Sequence, residues 1–300
     1  MKIENKEQYR GVYSLLLTPF NEDLSIDYDG YAAYVEWQAA QNPHFLFSVC
    51  GSSEMTTLTL EERIKVATTA AKYSGDVPVF ATANLEPTWF SQVEEVKKME
   101  QTGVAGLVFT SNGYGNDDDR MVTYMQELAS KTSLPVMIYE FPGFKNSHIS
   151  GKAYGEIAKI DNIIGIKDTT CTVPKIKDKI DVQGETAVLQ ANIPYLLKAY
   201  EEGGRGVVAT PSSCGAAKAM RKMYDAFFVE KDYEAAKKYF EHVCIIDNGI
   251  DSGFMVSAKY LCQLQGVPMK PICRDGRTLS ESRCHGLKVF CDYAKANGIL

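Results

Sequence analysis

Short runs of β-branched and apolar residues recur along the chain, separated by longer stretches whose apolar positions fall three and four apart. The runs occupy residues 12–17, 45–50, 77–81, 106–110, 135–139, 163–167, 187–190 and 206–209. Their length and composition predict buried strands, and the stretches 27–41, 60–72, 88–102, 118–132, 151–160 and 194–202 predict amphipathic helices. Capping chemistry supports the helices. Thr59 precedes Leu60-Glu61-Glu62, which puts a Glu three residues after a Thr, and Gly75, Gly103 and Gly203 mark helix ends. Strands that alternate with helices argue for a parallel sheet, because a parallel crossover needs a helix to return the chain. Eight such units predict an α/β fold, a closed (β/α)8 TIM barrel, ahead of a doubly wound open sheet. Gly203-Gly204-Arg205-Gly206 precedes a strand instead of following one, so it reads as a tight turn and not as a dinucleotide fingerprint.

After about Ser213 the rhythm changes to helices alone, at 216–229, 232–246, 255–265 and 279–297, with Pro268 and Pro271 separating the last two. The expected organisation is a barrel over 1–214 and a helical extension over 215–300 packed on it, with no linker between them. A chain of 300 residues is compatible with one barrel, and 45% hydrophobic with 23% charged residues is ordinary globular composition. The net charge of −6 gives no electrostatic case for nucleic acid or an anionic membrane. Residues 1–10 are polar and carry no apolar core of a signal peptide, and no apolar run is long enough to span a bilayer, so a cytoplasmic location is expected. The eight cysteines form no Cys-x-x-Cys pair and read as free thiols; the four histidines show no metal-ligand spacing. Neither a metal nor another cofactor is expected.

The candidate chemistry starts from Ile163-Ile164-Gly165-Ile166-Lys167, a β-branched run that ends on an ammonium. Such a group either points into water where the strand stops or is held in an apolar site that favours the neutral amine. Barrel active sites lie at the C-terminal ends of the strands. Lys167 and Tyr139 close the sixth and fifth runs, Ser52 and Ser53 follow the second, and Tyr114 follows the fourth. A lysine, two phenols and a pair of hydroxyls suit carbonyl chemistry. The neutral amine attacks a ketone, loses water and forms a Schiff base, which requires its pKa to fall from about 10.4. Tyrosine can relay protons to and from the carbinolamine oxygen, and serine hydroxyls with turn N–H groups can hold a carboxylate.

The sequence resembles the dihydrodipicolinate synthase/N-acetylneuraminate lyase family of Schiff-base (β/α)8 aldolases. The resemblance runs over nearly the whole chain: Leu17-Thr18-Pro19-Phe20, Ser53-Glu54 followed by Thr57-Leu58-Thr59, Tyr139-x-x-Pro142-Gly143, Gly165-Ile166-Lys167-Asp168, and Gly204-x-Gly206-Val207-Val208. The 28-residue spacing from Tyr139 to Lys167 is the family's own. The resemblance implies that Lys167 forms the Schiff base with pyruvate or a related 2-oxo acid, and that Tyr139 is the catalytic tyrosine. Tyr114 would be the second tyrosine of a proton relay, and Val208 would line the floor of the 2-oxo acid pocket. The carboxylate-binding motif falls on Cys50-Gly51-Ser52-Ser53-Glu54. A gapless match gives Ser52 the carboxylate and puts Gly51 at the relay hydroxyl; a match shifted by one residue restores Ser52 to the relay. Glu54 braces the loop.

Three departures bear on the second substrate. Glu140 stands where the family usually has Asn, Phe144 where the synthases place an arginine, and Ala191-Asn192-Ile193-Pro194 lacks the acidic residues of the sialic acid lyases. The implied partner of the 2-oxo acid is then an aldehyde without a strong anionic group. A 2-keto-3-deoxy sugar acid dehydratase and dihydrodipicolinate synthase itself are the alternative outcomes on the same Schiff base. A non-catalytic barrel that binds a 2-oxo acid is the alternative from another class. Family members are commonly dimers or tetramers, so a homo-oligomer, such as a homotetramer, is implied.

Overall fold

The computed structural model describes residues 3–251 and 253–300. Its strands are β1 (Gly11–Leu15), β2 (Phe45–Ser48), β3 (Val79–Thr82), β4 (Gly106–Thr110), β5 (Val136–Tyr139), β6 (Ile163–Asp168), β7 (Ala187–Gln190) and β8 (Gly206–Val207). They follow one another in sequence order round a closed barrel, so the predicted (β/α)8 architecture is the one observed. Every strand residue is buried, as expected of parallel strands covered on both faces. The helices are α1 (Tyr28–Ala39), α2 (Leu60–Tyr73), α3 (Trp89–Glu100), α4 (Asp118–Ala129), α5 (Gly151–Ile157), α6 (Val173–Ile180) and α7 (Leu196–Glu201), then α8 (Ala217–Tyr224), α9 (Tyr233–Ile250), α10 (Met255–Leu264) and α11 (Glu281–Ala296). The Thr59–Glu62 capping box forms as predicted, and Gly75, Gly103 and Gly203 adopt φ values of 60°, 88° and 103° past their helices. Among the described residues no helix is long and apolar enough to cross a membrane.

Two differences from the sequence reading have simple causes. Helix α6 is not predicted by periodicity, because Lys175, Lys177, Asp178 and Lys179 hide its apolar stripe. The stretch 216–229 is not one α-helix. It changes after Tyr224 into a π-helical turn, Asp225–Glu230, and stops at Lys231, whose φ is 60°.

The chain forms two compact units: the residues up to Gly11 with Val79–Val208, and Val12–Pro78 with Ala209–Leu300. In the first, β3 to β8 run parallel and in order, and one lateral row of Cα partners reads Thr110, Tyr139, Lys167, Leu189, Gly206. A bulge sets that row. Val136 pairs with Ile163 but Met137 pairs with Gly165, so Ile164 is the extra residue. Without it Tyr139 would face Ile166, and the lysine would be one position out of register with the phenol. Gly165 is required beside the bulge, since a Cβ there would lie 2.4 Å from the Ala187 carbonyl oxygen. In the second unit, β1 and β2 pair through Tyr13–Phe45, Ser14–Leu46 and Leu15–Phe47. The buried Gln38 side chain of α1 ties Ser14 to the Ser212 and Ser213 carbonyls.

Candidate active site

In the first unit Lys167 is buried, 4% exposed, and so is Tyr139 at 3%. Of the two readings open for the lysine, the strand stopping in water is therefore ruled out. Strand β6 runs one residue further than predicted, through Asp168. The Lys167 Nζ lies over the Tyr139 ring, 4.3 Å from its centroid, as in-register partners on one face of a parallel pair should. Asp168 and Glu140, each one residue further along, turn to the opposite face. There they meet Lys179 of α6, whose Nζ is 2.7 Å from Glu140 Oε2 and 2.7 Å from Asp168 Oδ2.

Each carboxylate has further donors. Asp168 Oδ1 accepts from the Thr170 N–H and hydroxyl at 3.0 and 2.7 Å. Glu140 Oε1 accepts from the Ile149 N–H at 2.5 Å and faces His148 Nδ1 at 3.1 Å. Glu140 is thus fully committed to the scaffold behind the strands. Glu140 stands where the family usually has Asn, and no spacing in the sequence points to Lys179 as its partner.

The remaining predicted residues of this unit spread outward. Phe141 packs 5.5 Å from the Tyr139 ring, and Phe144 meets Phe141 edge-on at 5.0 Å, both half-buried. The three rings form an apolar row that begins at the buried phenol. Tyr114, also half-buried, lies 4.7 Å from the Tyr124 ring with the Arg120 guanidinium 5.2 Å above it. Tyr124 is fixed by Asn84 and Gln92, each at 2.8 Å, and burial pushes its phenol up to about 12. Val208 is fully buried just past β8, its N–H bonded to the Gln190 carbonyl at 2.9 Å.

In the second unit the chain leaves β2 through a tight turn. Val49 and Glu54 flank it with φ values of 50° and 58°, a left-handed conformation that is costly for a β-branched residue. Gly51, Ser52 and Ser53 form a single 3-10 turn between them. Ser53 is consumed by the backbone: its hydroxyl accepts from the Cys50 N–H at 3.0 Å and donates to the Leu16 carbonyl at 2.5 Å. Thr18 also donates to the Ser53 carbonyl at 2.8 Å. Ser52 instead pairs its hydroxyl with that of Thr210 at 3.0 Å. The two serines therefore do different work, and Thr210 joins the candidates unannounced by any spacing in the sequence.

Glu54 braces the turn as expected. One oxygen accepts from Lys259 Nζ at 2.5 Å and the other from the Arg274 N–H at 2.8 Å. The ligand atoms of Glu54, Cys273 and Asp275 lie within 4.8 Å of one another, but they suit a cation poorly. Both Glu54 oxygens are already bonded, an ammonium stands beside them, and burial pushes the Cys273 thiol up to about 12.

The profile of the Dihydrodipicolinate synthetase family matches residues 8–284. A 4-hydroxy-tetrahydrodipicolinate synthase of Koribacter versatilis is 29% identical over 243 residues, covering 80% of each chain. The enzyme of that name from Archaeoglobus fulgidus is 28% identical over 236 residues, 77% of this chain and 78% of its own. Among solved structures, YagE, a prophage protein of the dihydrodipicolinic acid synthase family from E. coli K12 in complex with pyruvate, superposes with a TM-score of 0.86 at 24% identity, covering 96% of this chain and 99% of its own. The match over residues 8–284 includes the buried lysine of β6, the tyrosine of β5 and the strained turn after β2, and the chain belongs to the dihydrodipicolinate synthetase family.

Proposed function

We propose that this chain is a class I lyase in which Lys167 forms a Schiff base with pyruvate or a related 2-oxo acid and makes or breaks a carbon–carbon bond to an aldehyde. The observation that carries the reading is the buried Lys167 amine over the Tyr139 ring, fixed there by a bulge that puts the two residues in register. The amine adds to the C2 carbonyl, and loss of water leaves an iminium. That cation draws electrons from C3, which can then lose a proton and attack an aldehyde, or in reverse accept the electrons of a breaking bond. Tyr139 hands the proton to the departing hydroxyl and takes it back, with Tyr114 as second member of the relay.

Ser52, with its own hydroxyl and backbone N–H, is assigned the substrate carboxylate. Thr210 orients the Ser52 hydroxyl, and Gly51 and Ser53 shape the turn. Val208 supplies an apolar floor. The Phe141 and Phe144 rings favour an acceptor aldehyde without an anionic group. None of the eight cysteines is bonded to another, which suits a reducing cytoplasm. Exposed Val289 and Tyr293, one turn apart on α11, support self-association as a dimer or tetramer.

Borohydride added with pyruvate should leave one reduced pyruvyl group on Lys167, found by peptide mass mapping and absent from Lys167→Ala. Lack of an adduct across a panel of 2-oxo acids would overturn the proposal. Supplying 2-keto-3-deoxy sugar acids, and aldehydes with and without a carboxylate, then separates release of pyruvate from loss of water and tests the acceptor.

A further inference from the structure

The residues that follow the two proposed catalytic groups share a single buried cation. Glu140 follows Tyr139 and Asp168 follows Lys167, and Lys179 bonds both carboxylates at 2.7 Å, with all three side chains no more than 2% exposed. Direct backbone coupling of the strand ends is weak at this level. The Glu140 N–H reaches the Lys167 carbonyl at only 3.4 Å, near the limit of a useful hydrogen bond. The Thr169 hydroxyl donates to the Glu140 carbonyl and adds one side-chain link. Lys179 is the charged link, and it is itself held on a buried helix face between Ile176 and Ile180. A shift of either strand end must stretch one of its two short bonds. Burying three charges is a poor way to gain stability, because apolar residues of the same volume often serve as well. Their geometry has a clearer use: an error of about 1 Å between reacting groups can cost about a hundredfold in rate.

We infer that Lys179 is a positioning residue which, through Glu140 and Asp168, fixes the approach of Tyr139 to Lys167 and so sets the rate of proton transfer in Schiff-base formation; this rests on the proposed lyase reading. The test uses the full chain and follows adduct accumulation on Lys167 by borohydride quenching at intervals after mixing with pyruvate. Lys179→Met removes the bridge. Glu140→Gln cuts only the β5 arm, leaving a balanced Lys179–Asp168 pair, and serves where Lys179→Met does not fold.

Both should slow accumulation by about tenfold or more while the pyruvate concentration for half-maximal end-point labelling moves less than about threefold. In a Tyr139→Phe background the same changes should cost less than about twofold, because the group being positioned is gone. A folded Glu140→Gln protein with wild-type rates overturns the inference. So do equal losses in both backgrounds, or a rise in half-saturation that matches the loss in rate. If Tyr139→Phe accumulates no adduct, the split between rate and half-saturation decides. Failure to trap the unaltered chain removes the lyase reading and this inference together, whereas a trapped wild type with unaffected variants removes the inference alone.

Discussion

Replacing Lys259 by methionine should cost the protein about 3 kcal/mol. The Lys259 ammonium is fully buried and donates to Glu54 Oε1 at 2.5 Å and to the Ile272 carbonyl at 2.6 Å. Methionine keeps most of the volume and sets a thioether end in place of the Nζ that lies 4.5 Å from the Phe20 ring centroid, so cavity formation contributes little. The cost is instead the Glu54 carboxylate left buried without its counter-charge, for which about 3–5 kcal/mol is usual. The Arg274 N–H still donates to the second Glu54 oxygen at 2.8 Å, which places the loss at the lower end. For a chain this long, about 3 kcal/mol lowers the melting midpoint by about 6–12 °C. Circular dichroism melts and denaturant titrations of Lys259→Met, Glu54→Gln and the double variant measure it. The double variant should be less destabilised than the sum of the singles, since it removes both charges. A Lys259→Met midpoint within about 2 °C of wild type would show that the pair is worth no more than an exposed one. Additive losses would show that Glu54 and Lys259 are not coupled. Either result refutes the account of how this turn is braced.

Burial, reinforced by the nearby Arg221 charge, holds the His44 imidazole down to about 4, and its Nδ1 accepts the Val12 N–H at 3.0 Å. The folded state therefore disfavours the proton that the unfolded chain binds below about 6.5. Stability should fall by up to about 3 kcal/mol as pH drops from about 6.5 to about 4; denaturant titrations across that range should be flatter for His44→Gln, and an unchanged slope would contradict the assignment. Ser52→Ala should raise the 2-oxo acid concentration for half-maximal borohydride labelling about tenfold, the effect of one hydrogen bond to a charged group, with Ser53→Ala acting instead on stability. Equal effects of the two serines on labelling would remove the distinction drawn between them.

The fold was legible because its signals are local and repeated. Each strand is a short apolar run, and each of the 106–110 and 187–190 runs coincides with its observed strand to the residue. The Thr59 capping box and the glycines at 75, 103 and 203 punctuate the chain without help from tertiary structure. Helix α6 escaped because binary patterning counts lysine as polar. Its buried stripe, Ile176, Lys179 and Ile180, has the spacing of an ordinary core face once Lys179 is admitted to it. A cation can occupy such a face only where anions meet it, and those anions, Asp168 at the end of β6 and Glu140 just past β5, precede it by 11 and 39 residues. No window of sequence contains that information.

The candidate site divides along the same line. Lys167 and Tyr139 were visible as polar residues at the ends of apolar runs, a position that burial makes expensive unless something uses it. Their register was not visible, because it depends on Ile164 being an unpaired bulge residue, and a bulge is a property of two strands. The same holds for the serines. Adjacent hydroxyls look interchangeable in the sequence, yet one turn of backbone binds Ser53 to Leu16 and Cys50 and directs Ser52 to Thr210. What separates the two is which carbonyls and hydroxyls the surrounding chain places within 3 Å of them. Glu140 makes the point most sharply. As a letter it is a carboxylate next to a proposed catalytic tyrosine, an obvious general base. In the fold, strand alternation turns it away from Tyr139, and Lys179, His148 and Ile149 take up both its oxygens. A second acid–base group is thereby held by the scaffold, and under the proposed lyase reading proton transfer is left to phenols.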